Sequence, residues 1–259
     1  MQTIFYRTVN LIIDIGNTFV KMVCCDGHII EEQRVTLSEQ EAIRAFCRKY
    51  PFEGGIYCSV VDLPEELEHE WSCLPFPMLH YQSGITPVPL KSSYLTPRTL
   101  GADRMAASVG AWAQWPGRNV LIIDVGTCAT YDFISADGEY LGGNISPGPM
   151  MRLKALHQFT GKLPLVAYEG ERPEFGNNTE TAIRCGVLTG MRMEIEGYIT
   201  RYAQEFERLL VCMTGGDAIN LDTAVADIHY DRYLVPKGLN EILRWNQQAA
   251  VAQSLNKNN

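Results

Sequence analysis

The chain has 259 residues, 46% hydrophobic and 20% charged, enough for a sizeable core and for one large or two small domains. A formal net charge of −8 argues against a general nucleic-acid surface, and no apolar run approaches the ~20 residues of a membrane span. Eight scattered cysteines without a C-x-x-C pair fit reduced, mostly buried thiols and a cytoplasmic protein. In chain order, Val9–Asp14 reads as a strand buried on both faces. Phe19–Cys25 and His28–Val35 follow as strands around an Asp26-Gly27 hairpin turn. Ser38 and Glu41 resemble a capping box that opens a helix toward Tyr50. Gly55–Val61 is a further strand, Leu63–Trp71 a short helix and the Pro-, Ser- and Thr-rich Pro75–Thr99 a long ordered loop. Gly101–Trp115 is helical, and Trp115-Pro-Gly-Arg118 ends it as a domain boundary, giving domains 1–117 and 118–259.

The plan then restarts. Val120–Asp124, Thr130–Ser135 and Glu139–Ile145 are strands, with Asp137-Gly138 as the hairpin turn. Gly148–Phe159 and Asn178–Leu209 are helices, the second carrying an apolar stripe of Ile183, Val187, Met191, Ile195 and Tyr198. Leu210–Met213 is a strand closed by Thr214-Gly-Gly-Asp217, and Leu239–Ser254 a last helix. Each half therefore opens with a strand, an Asp-x-Gly-x turn, a strand, an Asp-Gly turn and a strand. Such duplication predicts two similar α/β domains flanking a cleft.

The two turns are DIGNT at Asp14–Thr18 and DVGTC at Asp124–Cys128. An Asp at a buried strand end followed by Gly leaves little side-chain bulk, so backbone N–H groups there can approach a phosphate. The carboxylate repels phosphate directly but can hold a cation that bridges to it. A single copy is equally a plain turn with an Asx hydrogen bond; two copies in matched strand contexts, with a third Gly-rich bend at Thr214–Asp217, favour phosphate binding. Other nucleotide and hydrolase signatures are missing: no G-x-x-x-x-G-K-[ST], no G-x-G-x-x-G after the first strand and no G-x-S-x-G. The five histidines show no metal-ligand spacing and read as surface residues. Leu100-Gly-Ala-Asp-Arg104 sits at a loop-to-helix junction. Asp103 there is either a helix-favouring charge or a base, and Arg104 either a surface partner or a carboxylate-binding group.

Together DIGNTFVK (Asp14–Lys21), TLGADR (Thr99–Arg104), DVGTCATYDF (Asp124–Phe133), GEYLGGNISPG (Gly138–Gly148), KLP (Lys162–Pro164), NTETAIRCG (Asn178–Gly186) and TGGDA (Thr214–Ala218) resemble, in order and spacing, the type III pantothenate kinases of the acetate and sugar kinase, Hsp70 and actin superfamily. The resemblance implies two ribonuclease-H-like (actin-like ATPase) domains and the ATP-dependent phosphorylation of pantothenate to 4'-phosphopantothenate, the first step to coenzyme A. It assigns ATP contacts to Asp14, Ile15, Gly16, Asn17, Thr18, Phe19, Val20, Lys21 and Thr127, and the base to Asp103. Pantothenate contacts fall on Tyr94, Gly101, Ala102, Asp103, Arg104 and Thr179. Asp14 would hold Mg²⁺ or another divalent cation through water or phosphate, and Asp124 a K⁺ or NH₄⁺ ion. The implied partners are pantothenate, ATP and a second copy in a homodimer, with the Ile183–Tyr198 stripe as a candidate pairing face. Cys128 and Tyr131 depart from the pattern by being larger than expected. Two alternatives stay open: a non-catalytic nucleotide-binding regulator like the transcriptional accessory factors, and a kinase for another small alcohol.

Overall fold

The computed structural model describes residues 9–216, 221 and 226–257, with side chains to Ala252. The chain divides into two compact units, one comprising residues up to 114 and from 233 onward, the other 115–232.

In the first unit the elements are β1 (Asn10–Ile15), β2 (Val20–Cys25), β3 (Ile29–Val35), α1 (Gln40–Cys47), β4 (Gly54–Ser59), α2 (Glu65–Ser72), β5 (Met78–His80), the two-residue β6 (Lys91–Ser92), a 3₁₀ turn at Pro97–Thr99 and α3 (Ala102–Gln114). Its sheet runs β3-β2-β1-β4-β5. β2 is antiparallel to β1 and β3, and β4 is parallel to β1 and β5. β1 is central and Leu11, Ile12 and Ile13 are fully buried, as its unbroken apolar run requires. Alternation puts Leu11, Ile13 and Ile15 into a core with Ile43, Phe46, Leu67 and Trp71 from α1 and α2, so Asp14 points to the opposite face.

The second unit repeats this plan with β7 (Val120–Val125), β8 (Cys128–Ile134), β9 (Glu139–Pro147), α4 (Pro149–Gln158), α5 (Thr179–Glu205), β10 (Leu210–Gly215) and β11 (Asp227–Tyr230). Among the strands of this unit the order is β11-β10-β7-β8-β9, again with two antiparallel and two parallel pairings. Leu121, Ile123 and Val125 join Met191, Ile195 and Ile199 of α5 in one core, so Asp124, like Asp14, faces away from it.

Several sequence expectations change. Pro75–Thr99 is not all loop, since Met78–His80 pairs with β4. The cap of α1 is shifted: Glu39 is the N-cap, and its carboxylate accepts from the Thr36 N–H (2.8 Å) and hydroxyl (2.9 Å). β11 lies in a stretch for which the sequence analysis names no element. The last helix, α6 (Leu234–Lys257), starts five residues early and belongs to the first unit, not to a 118–259 domain. Its packing explains why. A Cβ on Gly238 would lie 1.7 Å from the Ala106 carbonyl oxygen, and one on Gly110 would lie 2.4 Å from that of Leu234. The bare backbones of α3 and α6 thus touch at their crossing, and Asn10 of β1 donates to Asn240 at 2.8 Å. The Ile183–Tyr198 stripe is also reassigned. Ile183 and Val187 are buried against Leu153 and Val166, and Met191 and Ile195 are fully buried in the β-sheet core, so the stripe is internal and offers no pairing face.

Candidate active site

In the first unit, Asp14 stands at the C-terminal end of β1 with its side chain 16% exposed. Parallel pairing sets Cys58 of β4 beside it. The Cys58 thiol donates to Oδ1 at 3.7 Å, and Lys21 Nζ lies 4.0 Å from Oδ2. Burial raises the Asp14 pKa, Lys21 opposes that rise, and the negative charge of Asp103 adds to it. Asp103 and Asp14 therefore share one electrostatic neighbourhood. The turn between β1 and β2 is closed by Gly16 N–H to the Phe19 carbonyl at 3.0 Å, leaving Asn17, Thr18 and Phe19 exposed while Ile15 and Val20 anchor it in the core.

Asp103 lies in the first turn of α3, and its Oδ1 accepts the Arg104 N–H at 2.8 Å. A Cβ on Gly101 would sit 2.6 Å from that oxygen and 3.5 Å from the Arg104 stem, so the missing side chain makes room for the carboxylate. Ala102 and Arg104 are buried, Arg104 at 6% exposure. Tyr94 is half-buried, its N–H donating to the Ser92 hydroxyl at 3.3 Å. A cavity of about 620 Å³ runs beside this loop, lined by Ser59, Asp62, His80, Gln82, Arg98 and Gly101 among others. Cys58 is an addition to the sequence reading, and His80, expected there as a surface residue, is a correction to it. His80 is half-buried, stacks on Tyr57 with ring centroids 4.3 Å apart, and is held neutral by burial, which lowers its pKa. Only the strand pairing reveals either residue.

In the second unit, Asp124 ends β7, and Thr127 is exposed in the turn to β8. Gly126 N–H donates to the Cys128 carbonyl at 2.9 Å. A Cβ on Gly126 would meet nothing within 4 Å and its φ is not left-handed, so neither crowding nor backbone strain calls for glycine there. Gly215, at φ +104°, passes over Asp124: a Cβ would lie 2.7 Å from Asp124 Oδ1 and 2.2 Å from the Val125 carbonyl oxygen. Asp217 and Ala218 of the third Gly-rich bend lie outside the described residues. Thr179 is exposed at the start of α5, behind an Asn178–Thr181 capping box. The named residues thus form two groups, Asp14–Lys21 with Tyr94 and Gly101–Arg104 in one unit, and Asp124, Thr127 and Thr179 in the other. Among the described residues no cluster of three His, Cys, Asp or Glu could hold a metal ion by itself. One carboxylate ligand, such as Asp14 or Asp124 would supply, suits an ion that takes its other oxygens from phosphate and water.

Comparison with known proteins decides the family. A model of the type III pantothenate kinase family matches residues 10–201. The chain belongs to the type III pantothenate kinase family. It is 49% identical over 241 residues to the type III pantothenate kinase of Phocaeicola vulgatus, covering 92% of this chain and 99% of that one. The Bacteroides fragilis enzyme of the same name is 48% identical, with 92% and 98% covered. Among solved structures, a conserved Campylobacter jejuni protein assigned to the Baf family of transcriptional activators matches with a TM-score of 0.57 at 23% identity, over 92% of this chain and 99% of that one. The ADPNP-bound activator of 2-hydroxyisocaproyl-CoA dehydratase from Clostridium difficile matches with a TM-score of 0.50 at 12% identity, over 95% and 97%. At these identities the structures speak for the fold, two ribonuclease-H-like domains of the actin-like ATPase class, which the repeated strand order also displays.

Proposed function

We propose that this chain transfers the γ-phosphoryl group of ATP to the primary hydroxyl of pantothenate, giving 4'-phosphopantothenate and ADP in the cytoplasm. The observation that carries the reading is the duplicated Asp-x-Gly turn, on equivalent strand ends of two units with one strand order, inside a chain of this family. The hydroxyl oxygen attacks the γ-phosphorus, the bond to the β–γ bridging oxygen breaks, and the hydroxyl proton passes to the Asp103 carboxylate. Phosphoryl transfer is mostly positioning and charge neutralisation, so the base is needed as the new O–P bond forms and not before. Backbone N–H groups of Asn17, Thr18 and Thr127 in the two turns would hold phosphate oxygens, and Gly126 supports this because its bareness makes room for no described residue. Lys21 adds a cation on the Asp14 side.

A divalent ion held by Asp14 through water or phosphate, and K⁺ or NH₄⁺ at Asp124, would offset triphosphate charge in a protein of net charge −8. Tyr94, Gly101–Arg104 and Thr179 would receive pantothenate, and the cavity beside Gly101 supports an acceptor on that side. A homodimer completes the proposal. With the α5 stripe internal, the surface that supports pairing is the groove of about 730 Å³ where Phe175 (80% exposed) and Met193 (61%) remain uncovered.

Asp103→Asn tests the chemistry. Asn keeps the shape and still accepts the Arg104 N–H but takes no proton. The expected result is a kcat loss of about 10²–10⁴-fold with nucleotide affinity retained. A kcat within about threefold of the parent would remove Asp103 as the base, because that outcome fits a mere helix-end charge.

A further inference from the structure

Tyr131 is one of the two residues of the second turn motif, with Cys128, that depart from the family pattern by their size. It does not crowd the turn. Alternation along β8 sends it with Ala129 and Phe133 into the core under α5, where its ring stacks on Tyr198 at 4.0 Å and is 1% exposed. Its hydroxyl donates to Glu194 Oε1 at 2.8 Å. The other oxygen of Glu194 accepts from Arg152 Nη2 at 2.6 Å. The Arg152 guanidinium, on α4, also donates to the Ser146 hydroxyl at 2.8 Å and the Pro147 carbonyl at 2.7 Å. Strand β8, helix α5 and the β9–α4 corner are thus tied through one carboxylate.

That corner touches the turn. Gly148 N–H donates to the Thr127 carbonyl at 3.0 Å. A Cβ on Gly148 would lie 2.1 Å from the Gly126 carbonyl oxygen and 2.6 Å from that of Thr127, so the backbones are in direct contact. Displacement of Pro147–Gly148 must move Gly126–Thr127. The corner is held by the pairing of Ser146 and Pro147 with β8, and Arg152 adds a side-chain clamp, because its planar fork serves three acceptors at once. Burial pushes the Glu194 pKa up, but the hydrogen bonds from Arg152 and Tyr131 outweigh it and keep the carboxylate ionised.

We propose that Tyr131, Glu194 and Arg152 are positioning residues that fix the Gly126–Thr127 turn through the Pro147–Gly148 corner and so set the affinity for the nucleotide. The proposal rests on the reading that this turn holds a phosphate. All three act on the turn from outside it, and none is assigned a contact with either substrate.

The test is steady-state kinetics on the full chain, varying ATP at saturating pantothenate and the reverse, for Arg152→Ala, Arg152→Lys, Glu194→Gln, Tyr131→Phe, Thr127→Ala and Thr127→Pro. Arg152→Ala and Glu194→Gln should raise the KM for ATP about tenfold, one 1.4 kcal/mol step at 25 °C, with kcat and the KM for pantothenate within about twofold of the parent. Arg152→Lys should follow Arg152→Ala, since a single terminal nitrogen cannot span the acceptors that Arg152 meets from Nε on one side and Nη2 on the other. If Thr127→Ala raises the KM for ATP while Arg152→Ala and Glu194→Gln leave it alone, the brace is wrong and the turn reading stands. If Thr127→Ala and Thr127→Pro, the second of which also removes the backbone N–H, both leave it unchanged, the turn reading falls and the brace with it. Should Arg152→Ala fail to fold, the shape-preserving Glu194→Gln and Tyr131→Phe decide: a selective rise in the ATP KM supports the brace, and an unchanged KM or an equal loss in every parameter overturns it.

Discussion

At the scale of single residues, the carboxylates were readable because strand parity is. An Asp interrupting an apolar run at its end must leave the core face, and Asp14 and Asp124 both do. Cys58 was not readable, because it reaches Asp14 only through parallel pairing of strands 44 residues apart. Gly101 shows how closely the candidate base is fitted. Gly101→Ala would push the Asp103 carboxylate aside from 2.6 Å, and misplacement on the ångström scale costs up to about 100-fold in rate. The expected result is a kcat loss of roughly 10- to 100-fold with thermal unfolding little changed; an unaltered kcat would mean the position of Asp103 does not matter. His80 has a lowered pKa through burial, opposed by Glu68. The folded state then binds fewer protons than the unfolded one, so its contribution to stability is complete above the ordinary value of 6.5 and is lost as pH falls through the lower folded value. In His80→Gln the drop in melting temperature between about pH 7.5 and about pH 5.5 should be smaller than in the parent. An identical drop would show that His80 titrates alike in both states.

Elements built on long apolar runs were evident from the sequence, whereas those fixed by a neighbour were not. β5 is three residues preceded by Pro75 and Pro77 and exists because β4 offers an edge. The early start of α6 was hidden by Pro236, which reads as a breaker but lies in the first helical turn, where its missing N–H leaves no helical bond unmade. The crossing of α3 and α6 depends on Gly110 and Gly238. Gly238→Ala forces a methyl into the Ala106 carbonyl, an overpacking that costs about 1–3 kcal/mol or more. For a chain this size that corresponds to a fall in melting temperature of several degrees, about 2–4 °C per kcal/mol. Gly197→Ala on α5, where an added Cβ meets nothing within 4 Å, should instead hold or raise the melting temperature through helix propensity. Equal effects of the two substitutions would contradict the close crossing.

For the whole molecule, the duplication was visible in the two Asp-x-Gly and two Asp-Gly turns, and the structure answers it with one strand order used twice. The allocation of the C-terminal helix was hidden, since nothing in its own residues says which sheet it will cover. The apolar stripe on α5 misled in the opposite way, because a stripe says that a face is buried and not by what. Pairing through the Phe175 and Met193 groove predicts a dimer in sedimentation at assay concentration, and a Met193→Glu variant that is monomeric and inactive. A fully active monomer would rule the homodimer out. Charge neutralisation at Asp14 and Asp124 predicts loss of turnover with excess chelator and in sodium-only buffer, and full turnover in either would remove the corresponding ion.

The central claim is that the phosphoryl acceptor is pantothenate. Its most direct measurement is ADP release by the purified chain with ATP, Mg²⁺ and K⁺, comparing pantothenate with a panel of sugars and polyols, with the product identified by mass. The account predicts a kcat/KM for pantothenate at least about 10²-fold above that of any other alcohol, since a site built to bind the acceptor's polar groups strongly rejects compounds that lack them, and a product one phosphoryl group heavier than pantothenate. Comparable or faster turnover of a sugar, or no turnover of pantothenate by a folded protein that binds ATP, would contradict it.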